Sequence, residues 1–397
     1  MAHRWMDIFA LSQFSPNLIK LPYSGRTVRI IIRNFVSGDK IRITLANRYG
    51  TSDVMFERVS VCNCDSEGNM TGDPVVMKFN NEEYGIVAEK SSIISDEINY
   101  KISEGFIAVS IFFGKKASVN SVNMLREKVI ISEKGDYTLS PEIAPCDRFT
   151  EKLLNKAFKV ARVSRYDIIP LLECVSVYTE NPAGTVLAFG DSITQGGKWS
   201  YELANRLNSP VINLGISGNR VLRDCSFPVV KGLMGDAALK RFDRDVLTRQ
   251  GKKVIIVLLG TNDIGQPGSI SAPKRESVTA EEVIDGLKEI GLRAKAAGLH
   301  AFICTLTPFK HFRMGYIRDA INNRHIINRW IMNNDIYDGY FDYDMMIKDG
   351  EDEEKIAPLY DSGDHLHPSD EGSIKMLDAI DIELIKRLVR DEDSNNQ

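Results

Sequence analysis

Ser192 stands where an apolar run ends in a tight polar turn. Thr185-Val-Leu-Ala-Phe189 leads into Gly190-Asp191-Ser192-Ile193-Thr194-Gln195-Gly196, and a helix-like segment follows from about Ser200. A strand feeding a turn and then a helix holds such a hydroxyl at the carboxyl edge of a sheet, where α/β folds place their ligands. A serine hydroxyl is a poor nucleophile at neutral pH; it needs a base, usually histidine, and a group that orients the base. The segment Asp361-Ser-Gly-Asp364-His365-Leu366-His367-Pro368 offers both. One turn of chain can bring the Asp364 carboxylate against Nδ1 of His367, leaving Nε2 for Ser192. Chemistry alone keeps His365 as an alternative base.

Nucleophilic attack on an acyl group develops negative charge on the carbonyl oxygen, and each preorganised donor aimed there is worth ~3–4 kcal/mol. Two candidates follow the next apolar strands: the Gly218 main-chain N–H, in Asn213-Leu-Gly-Ile-Ser-Gly218-Asn-Arg, and the Asn262 side-chain amide, in Leu259-Gly-Thr-Asn262-Asp263. The Ser192 N–H would be a third. Glycine at 218 suits a close backbone approach. Asp191 and Asp263 flank this set and are expected to hold loops by hydrogen bonds. Arg220 either reaches a substrate or pairs with a nearby acid. Trp199 reads better as core than as a stacking surface. Glu351-Asp-Glu-Glu354 reads as a solvated loop. Taken singly, each residue has an ordinary turn, cap or surface role; four such blocks in order on one α/β pattern do not.

The elements that must position these residues fall into two textures. Up to about residue 165 the sequence reads as short strands, among them Thr27–Arg33, Lys40–Ala46 and Phe106–Phe113, with Gly, Asn, Asp and Ser between them. That pattern predicts a sandwich. From about 183, apolar strands at Thr185–Phe189, Val211–Leu214, Val254–Leu259 and Ala301–Thr305 alternate with helices, as in a doubly wound parallel sheet covered on both faces. Thr279-Ala-Glu-Glu282 is a capping box opening a helix that ends at Gly298. Further helices are expected over Tyr316–Met332 and from Ser369 to about Leu388. The expected boundaries are a β-sandwich at 1–170, a linker at 171–183, an α/β domain at 184–390 and a polar tail at 391–397.

Bulk properties narrow the chemistry. A chain of 397 residues exceeds the size at which one core keeps growing. Its 43% hydrophobic and 26% charged residues are ordinary for globular domains, and a net charge of -4 gives no basic face for nucleic acid. The six cysteines match no zinc spacing, nor do His300, His311 and His325, so no metal or cofactor is expected. No stretch approaches the roughly 18 apolar residues of a membrane span. Without a signal-like apolar core at the amino terminus, a reduced, cytoplasmic protein is expected.

Together, the Ser192, Gly218, Asn262 and His367 blocks resemble those of SGNH hydrolases, the GDSL esterase superfamily. The family's Asp-x-x-His spacing, ending in His367-Pro368, favours His367 over His365. The likeness covers roughly residues 185–390, with Ile193 where the family name has Leu. The wording of Gly218-Asn-Arg220, Arg241-Phe-Asp-Arg-Asp-Val246, Gly260-Thr-Asn-Asp-Ile264 and Tyr360–Pro368 is similar to a two-domain bacterial subgroup with a β-sandwich before the hydrolase. Thr27–Gly50, with Leu45-Ala-Asn-Arg-Tyr-Gly50, resembles the start of that sandwich. The resemblance implies a three-layer flavodoxin-like hydrolase preceded by a jelly-roll-like sandwich. It implies metal-free ester hydrolysis by Ser192, His367 and Asp364, with Ser192, Gly218 and Asn262 holding the oxyanion. Many members of that subgroup act on acetylated plant polysaccharides and oligosaccharides. An acylated small molecule or oligosaccharide is therefore the expected partner, not nucleic acid or membrane. A general short-chain esterase, lipase or thioesterase is the alternative enzyme; a carbohydrate-binding protein with a vestigial hydrolase domain is the alternative class. The sandwich would bind carbohydrate, shape the cleft or mediate a homo-oligomer.

Overall fold

The computed structural model describes residues 3–390 apart from 17–22, 115–116, 147–166, 182, 228–231, 270 and 313–317. The chain divides into two units, Met1–Asn181 and Pro182–Gln397. The expected tail at 391–397 lies outside the described residues.

The first unit is all β. Its strands are β1 (Arg4–Ala10), β2 (Arg26–Asn34), β3 (Gly38–Ala46), β4 (Val54–Cys64), β5 (Val75–Val76), β6 (Gly85–Val87), β7 (Ser92–Ile94), β8 (Ile98–Ile102), β9 (Gly105–Phe113), β10 (Val122–Leu125), β11 (Lys128–Lys134), β12 (Asp167–Pro170) and β13 (Leu172–Thr179). One sheet runs β1-β13-β3, with β7 and β8 both on the far side of β3; the other runs β11-β2-β9-β4, with β5 and β6 both beyond β4. Let β5 and β6 share the fifth place and β7 and β8 the sixth. With β11 set aside as an extra strand beside β2, and β10 and β12 as a separate two-stranded pair, the sheets then read 1-8-3-6 and 2-7-4-5, the strand order of a jelly roll. Side-chain alternation follows the pleat: in β3, Ile41, Ile43 and Leu45 are fully buried while Arg42 and Thr44 are not.

The segment 171–183, expected as a linker, departs from that expectation. Leu172–Thr179 is β13, hydrogen-bonded between β1 and β3. Val175 and Val177 are fully buried, and the buried Glu173 carboxylate is matched by the Arg48 guanidinium at 2.8 Å. The β unit therefore extends to Asn181, because its sheet is incomplete without this strand.

The second unit contains β14 (Thr185–Gly190), β15 (Val211–Gly215), β16 (Lys252–Leu258), β17 (His300–Cys304) and β18 (Gly339–Phe341). All pair in parallel, in the order β15-β14-β16-β17-β18. This is the flavodoxin-like 2-1-3-4-5 order, with its switch point between β14 and β16. The helices are α1 (Ser192–Gln195), α2 (Lys198–Leu207), α3 (Ala238–Phe242), α4 (Thr261–Gly265), α5 (Ala280–Ala296), α6 (Arg318–Asn333), α7 (Tyr343–Ile347), α8 (Asp370–Met376) and α9 (Ile382–Val389). Val186, Ala188, Val254, Ile256 and Leu258 pack into a core with Trp199, Leu203 and Tyr343. Leu187 and Phe189, on the opposite face of β14, are fully buried as well.

The capping box at Thr279 and Glu282 forms as expected, and Gly298 takes φ +75° just beyond α5. Of the helix expected over Tyr316–Met332, α6 covers the described part. The helix expected from Ser369 to Leu388 is broken. The chain becomes extended at Ile380 (φ -92°, ψ 122°), and Asp381 caps α9 by accepting from the Leu384 N–H. The break lets Met376, Leu377, Ile380, Ile385 and Leu388 all enter one core.

Candidate active site

Ser192 begins α1 directly after β14. Gly190 is required by the tightness of this turn: a Cβ there would lie 2.0 Å from Thr194 Oγ1 and 3.0 Å from the Leu258 carbonyl oxygen. Asp191 caps the turn by accepting from the Ile193 N–H at 3.0 Å. The Ser192 hydroxyl lies 2.8 Å from Nε2 of His367, and Nδ1 of His367 lies 2.6 Å from Oδ2 of Asp364. The other carboxylate oxygen of Asp364 accepts the main-chain N–H groups of Leu366 and His367, at 3.0 and 2.8 Å. Partial burial pushes the Asp364 carboxyl up, but its bonds from His367 and the loop amides outweigh this and hold it well below the usual carboxylate range. An ionised Asp364 accepts a proton-bearing Nδ1, which leaves Nε2 able to accept the serine proton.

His365 makes a separate pair. Its Nδ1 lies 2.7 Å from Oδ2 of Asp361, and Oδ1 of Asp361 accepts the N–H groups of Gly363 and His365. The residue sits at φ +67°, a left-handed conformation. The serine thus faces His367 and not His365.

Gly218 follows β15 at φ +75°. Ser217 before it donates from both N–H and hydroxyl to Oε1 of Gln195, at 2.9 and 2.6 Å. The main-chain N–H groups of Ser192 and Gly218 have no acceptor among the described residues. Asn262, in α4 after β16, donates from Nδ2 to Oδ2 of Asp191 at 3.1 Å and to the Asn219 carbonyl at 3.2 Å. An oxyanion arriving here competes with those two acceptors. Gly218 and Asn262 thus follow β15 and β16, the two strands that flank β14, and Asn262 is tied to the serine turn through Asp191.

The flanking acids do what the sequence suggested. Asp263 accepts the N–H groups of Val221 and Leu222, at 2.8 and 3.1 Å, and so secures the loop after Gly218. Burial pushes the carboxyls of Asp191 and Asp263 up to about 6. Of the two readings of Arg220, the structure has the acid pair: Nη1 lies 2.8 Å from Glu276, both groups being buried. Trp199 is core, its Nε1 donating to the Ile193 carbonyl. Among the described residues no cluster of three or more His, Cys, Asp or Glu side chains could hold a metal ion, and no helix is long and apolar enough to cross a membrane.

Sequence reasoning missed Arg241, which is fully buried. Its guanidinium donates to the carbonyls of Gly190 and Leu214, both at 2.9 Å, and to Oδ1 of Asn219 at 3.0 Å, with Asp245 as its carboxylate partner at 3.1 Å. One side chain thereby ties the serine turn to the end of β15 and to the residue after Gly218. It also missed Gln195 and Gln266, although the i, i+4 spacing of Asn262 and Gln266 on one helix was a readable signal.

The family model for the GDSL-like Lipase/Acylhydrolase family matches residues 188–373. No curated protein gives a significant match to the chain. Among solved structures, a GDSL-like lipase from Bacteroides thetaiotaomicron VPI-5482 is 20% identical, over 53% of this chain and 89% of that one, with a TM-score of 0.39. An acetylxylan esterase from Geobacillus stearothermophilus is 18% identical, over 49% of this chain and 91% of that one, with a TM-score of 0.38. The matched segment spans Ser192, Gly218, Asn262, Asp364 and His367, and residues 188–373 are a GDSL-like lipase/acylhydrolase domain.

Proposed function

We propose that this protein is a serine esterase that removes short acyl groups, acetyl above all, from carbohydrate through an acyl-enzyme. The observation that carries the reading is the unbroken relay from Asp364 through His367 to Ser192, at 2.6 and 2.8 Å. His367 takes the Ser192 proton as the serine oxygen bonds to the ester carbonyl carbon. The N–H groups of Ser192 and Gly218, with the Asn262 amide, receive the negative oxygen. The carbon–alkoxy bond then breaks, and His367 returns the proton to the departing alcohol. Water repeats the sequence on the acyl-serine, releasing the acid and restoring the hydroxyl. Asp364 holds the ring in the tautomer that both half-reactions need.

The preference for acetylated sugar rests on the resemblance to the two-domain subgroup and on the jelly-roll unit, an architecture shared with lectin domains. The deciding measurement is Ser192→Ala on an activated acetate ester: hydrolysis is lost while the unfolding transition is kept. Wild-type turnover in that variant overturns the mechanism. Mass spectrometry of acetylated xylo- and manno-oligosaccharides, reading losses of one acetyl unit, tests the substrate. Equal rates across a chain-length series of simple esters, with no deacetylation of sugars, would make the protein a general short-chain esterase. Failure of a serine-directed phosphonate to label Ser192 would leave only a binding role.

A further inference from the structure

Gln266 lies at the end of α4 and is 9% exposed. Its Nε2 donates to two acceptors at once: the Gly218 carbonyl at 2.8 Å and Oδ1 of Asn262 at 2.9 Å. Both belong to residues that contribute oxyanion donors. An asparagine amide has an accepting and a donating end, and nothing in its shape decides which points where. The bond from Gln266 makes Oδ1 of Asn262 the retained end and turns Nδ2 the other way, toward Asp191. At Gly218 the same nitrogen fixes the carbonyl that follows the residue. Gln195 accepts the Ser217 N–H on the preceding side. Residue 218 is thus held from both sides in its left-handed conformation, with its own N–H left for a ligand.

The other end of the Gln266 amide argues against a purely stabilising role. Its Oε1 is buried and has no hydrogen-bond partner among the described residues. A buried acceptor without a donor is unfavourable, and an apolar side chain of the same length would avoid it. The residue keeps an amide whose only satisfied end faces the two oxyanion-donor residues.

We infer that Gln266 is a positioning residue for the oxyanion site: it sets the Asn262 amide and the Gly218 turn in register without touching substrate. This inference rests on the esterase reading above. The test compares Gln266→Met, Gln266→Glu and Ser192→Ala with the wild type on an activated acetate ester, alongside thermal unfolding. Gln266→Met is expected to lower kcat by about 10- to 100-fold, with KM within about twofold and an unfolding midpoint lowered by no more than a few degrees. Gln266→Glu, which faces two acceptors with a carboxylate, falls further. In an Asn262→Ala background, Gln266→Met loses the part of its effect that passes through Asn262 and keeps the part that passes through the Gly218 carbonyl, so the two substitutions are less than additive. An unchanged kcat in Gln266→Met, or full additivity with Asn262→Ala, overturns the inference. If the wild type shows Ser192-dependent turnover and Gln266→Met retains it, only the role of Gln266 fails; if the wild type shows no Ser192-dependent turnover, the esterase reading fails and takes this inference with it.

Discussion

The two sides of the candidate site are built differently. The serine and the residues proposed to hold the oxyanion follow β14, β15 and β16, braced by buried polar groups: Asp191, Asp263 and Arg241 are almost wholly out of water. The base and its partner sit on a loop, where the side chains of His367 and Asp364 are 34% and 45% exposed. The braced side must have its dipoles fixed before charge appears, since a donor that has to reorient spends part of what it provides. In the proposed reaction the loop side passes a proton to an alcohol and later takes one from water, so contact with solvent suits that task. Asp364 accordingly gains its hold on His367 from local loop amides, whereas Asp191 and Asp263 join separate strand ends.

Substitutions should separate the two sides. His367→Ala removes the proton acceptor outright, and kcat on an acetate ester should fall by ~10³–10⁶-fold with little change in folding. Asp364→Ala should cost less, ~10²–10⁴-fold, because the serine–imidazole contact survives. Arg241→Met acts on the braced side and should appear first in stability, about 3–5 kcal/mol by denaturant titration, since it removes the buried donor from the carbonyls of Gly190 and Leu214 and one of the two guanidinium groups on Asp245. If Arg241→Met alters rate but not stability, the distinction between a scaffolded and a solvent-facing side is wrong.

The smallest effect concerns pH. Asp191 and Asp263, raised to about 6, lie above an unfolded carboxyl near ~4. The folded protein therefore holds extra protons between those values. These two groups favour the fold below pH ~4, and that contribution disappears as pH rises through about 6. Asp364 is shifted the other way, so its contribution is present above pH ~4 and is lost as pH falls below it. Unfolding free energies measured from pH 4 to 7 should show a shallower decline in Asp263→Asn than in the wild type; an identical slope would show that Asp263 does not titrate there.

Much of this was legible in the residues. The strands of the second unit read as apolar runs because a parallel sheet buries both faces, and the Thr279 capping box announces α5 by its local chemistry. Less visible were features created by distant contacts. The Arg241–Val246 block carries a likeness of wording but assigns Arg241 no role; only the fold brings the carbonyls of Gly190 and Leu214 to its guanidinium. β13 was hidden by Glu180-Asn-Pro-Ala-Gly184, whose turn character drew the boundary too early, although Val175-Ser-Val-Tyr-Thr179 has strand propensity. The break at Ile380 was masked because apolar spacing continues across it, and only the cap at Asp381 marks a second helix. β18 is three residues long and falls below any periodicity signal.

The pairing of β1 with β13 sets Arg4 opposite Thr179. The polypeptide therefore enters and exits the jelly roll side by side, as through one doorway. A module with adjoining ends can be acquired, lost or exchanged as a cassette without rethreading the rest of the chain.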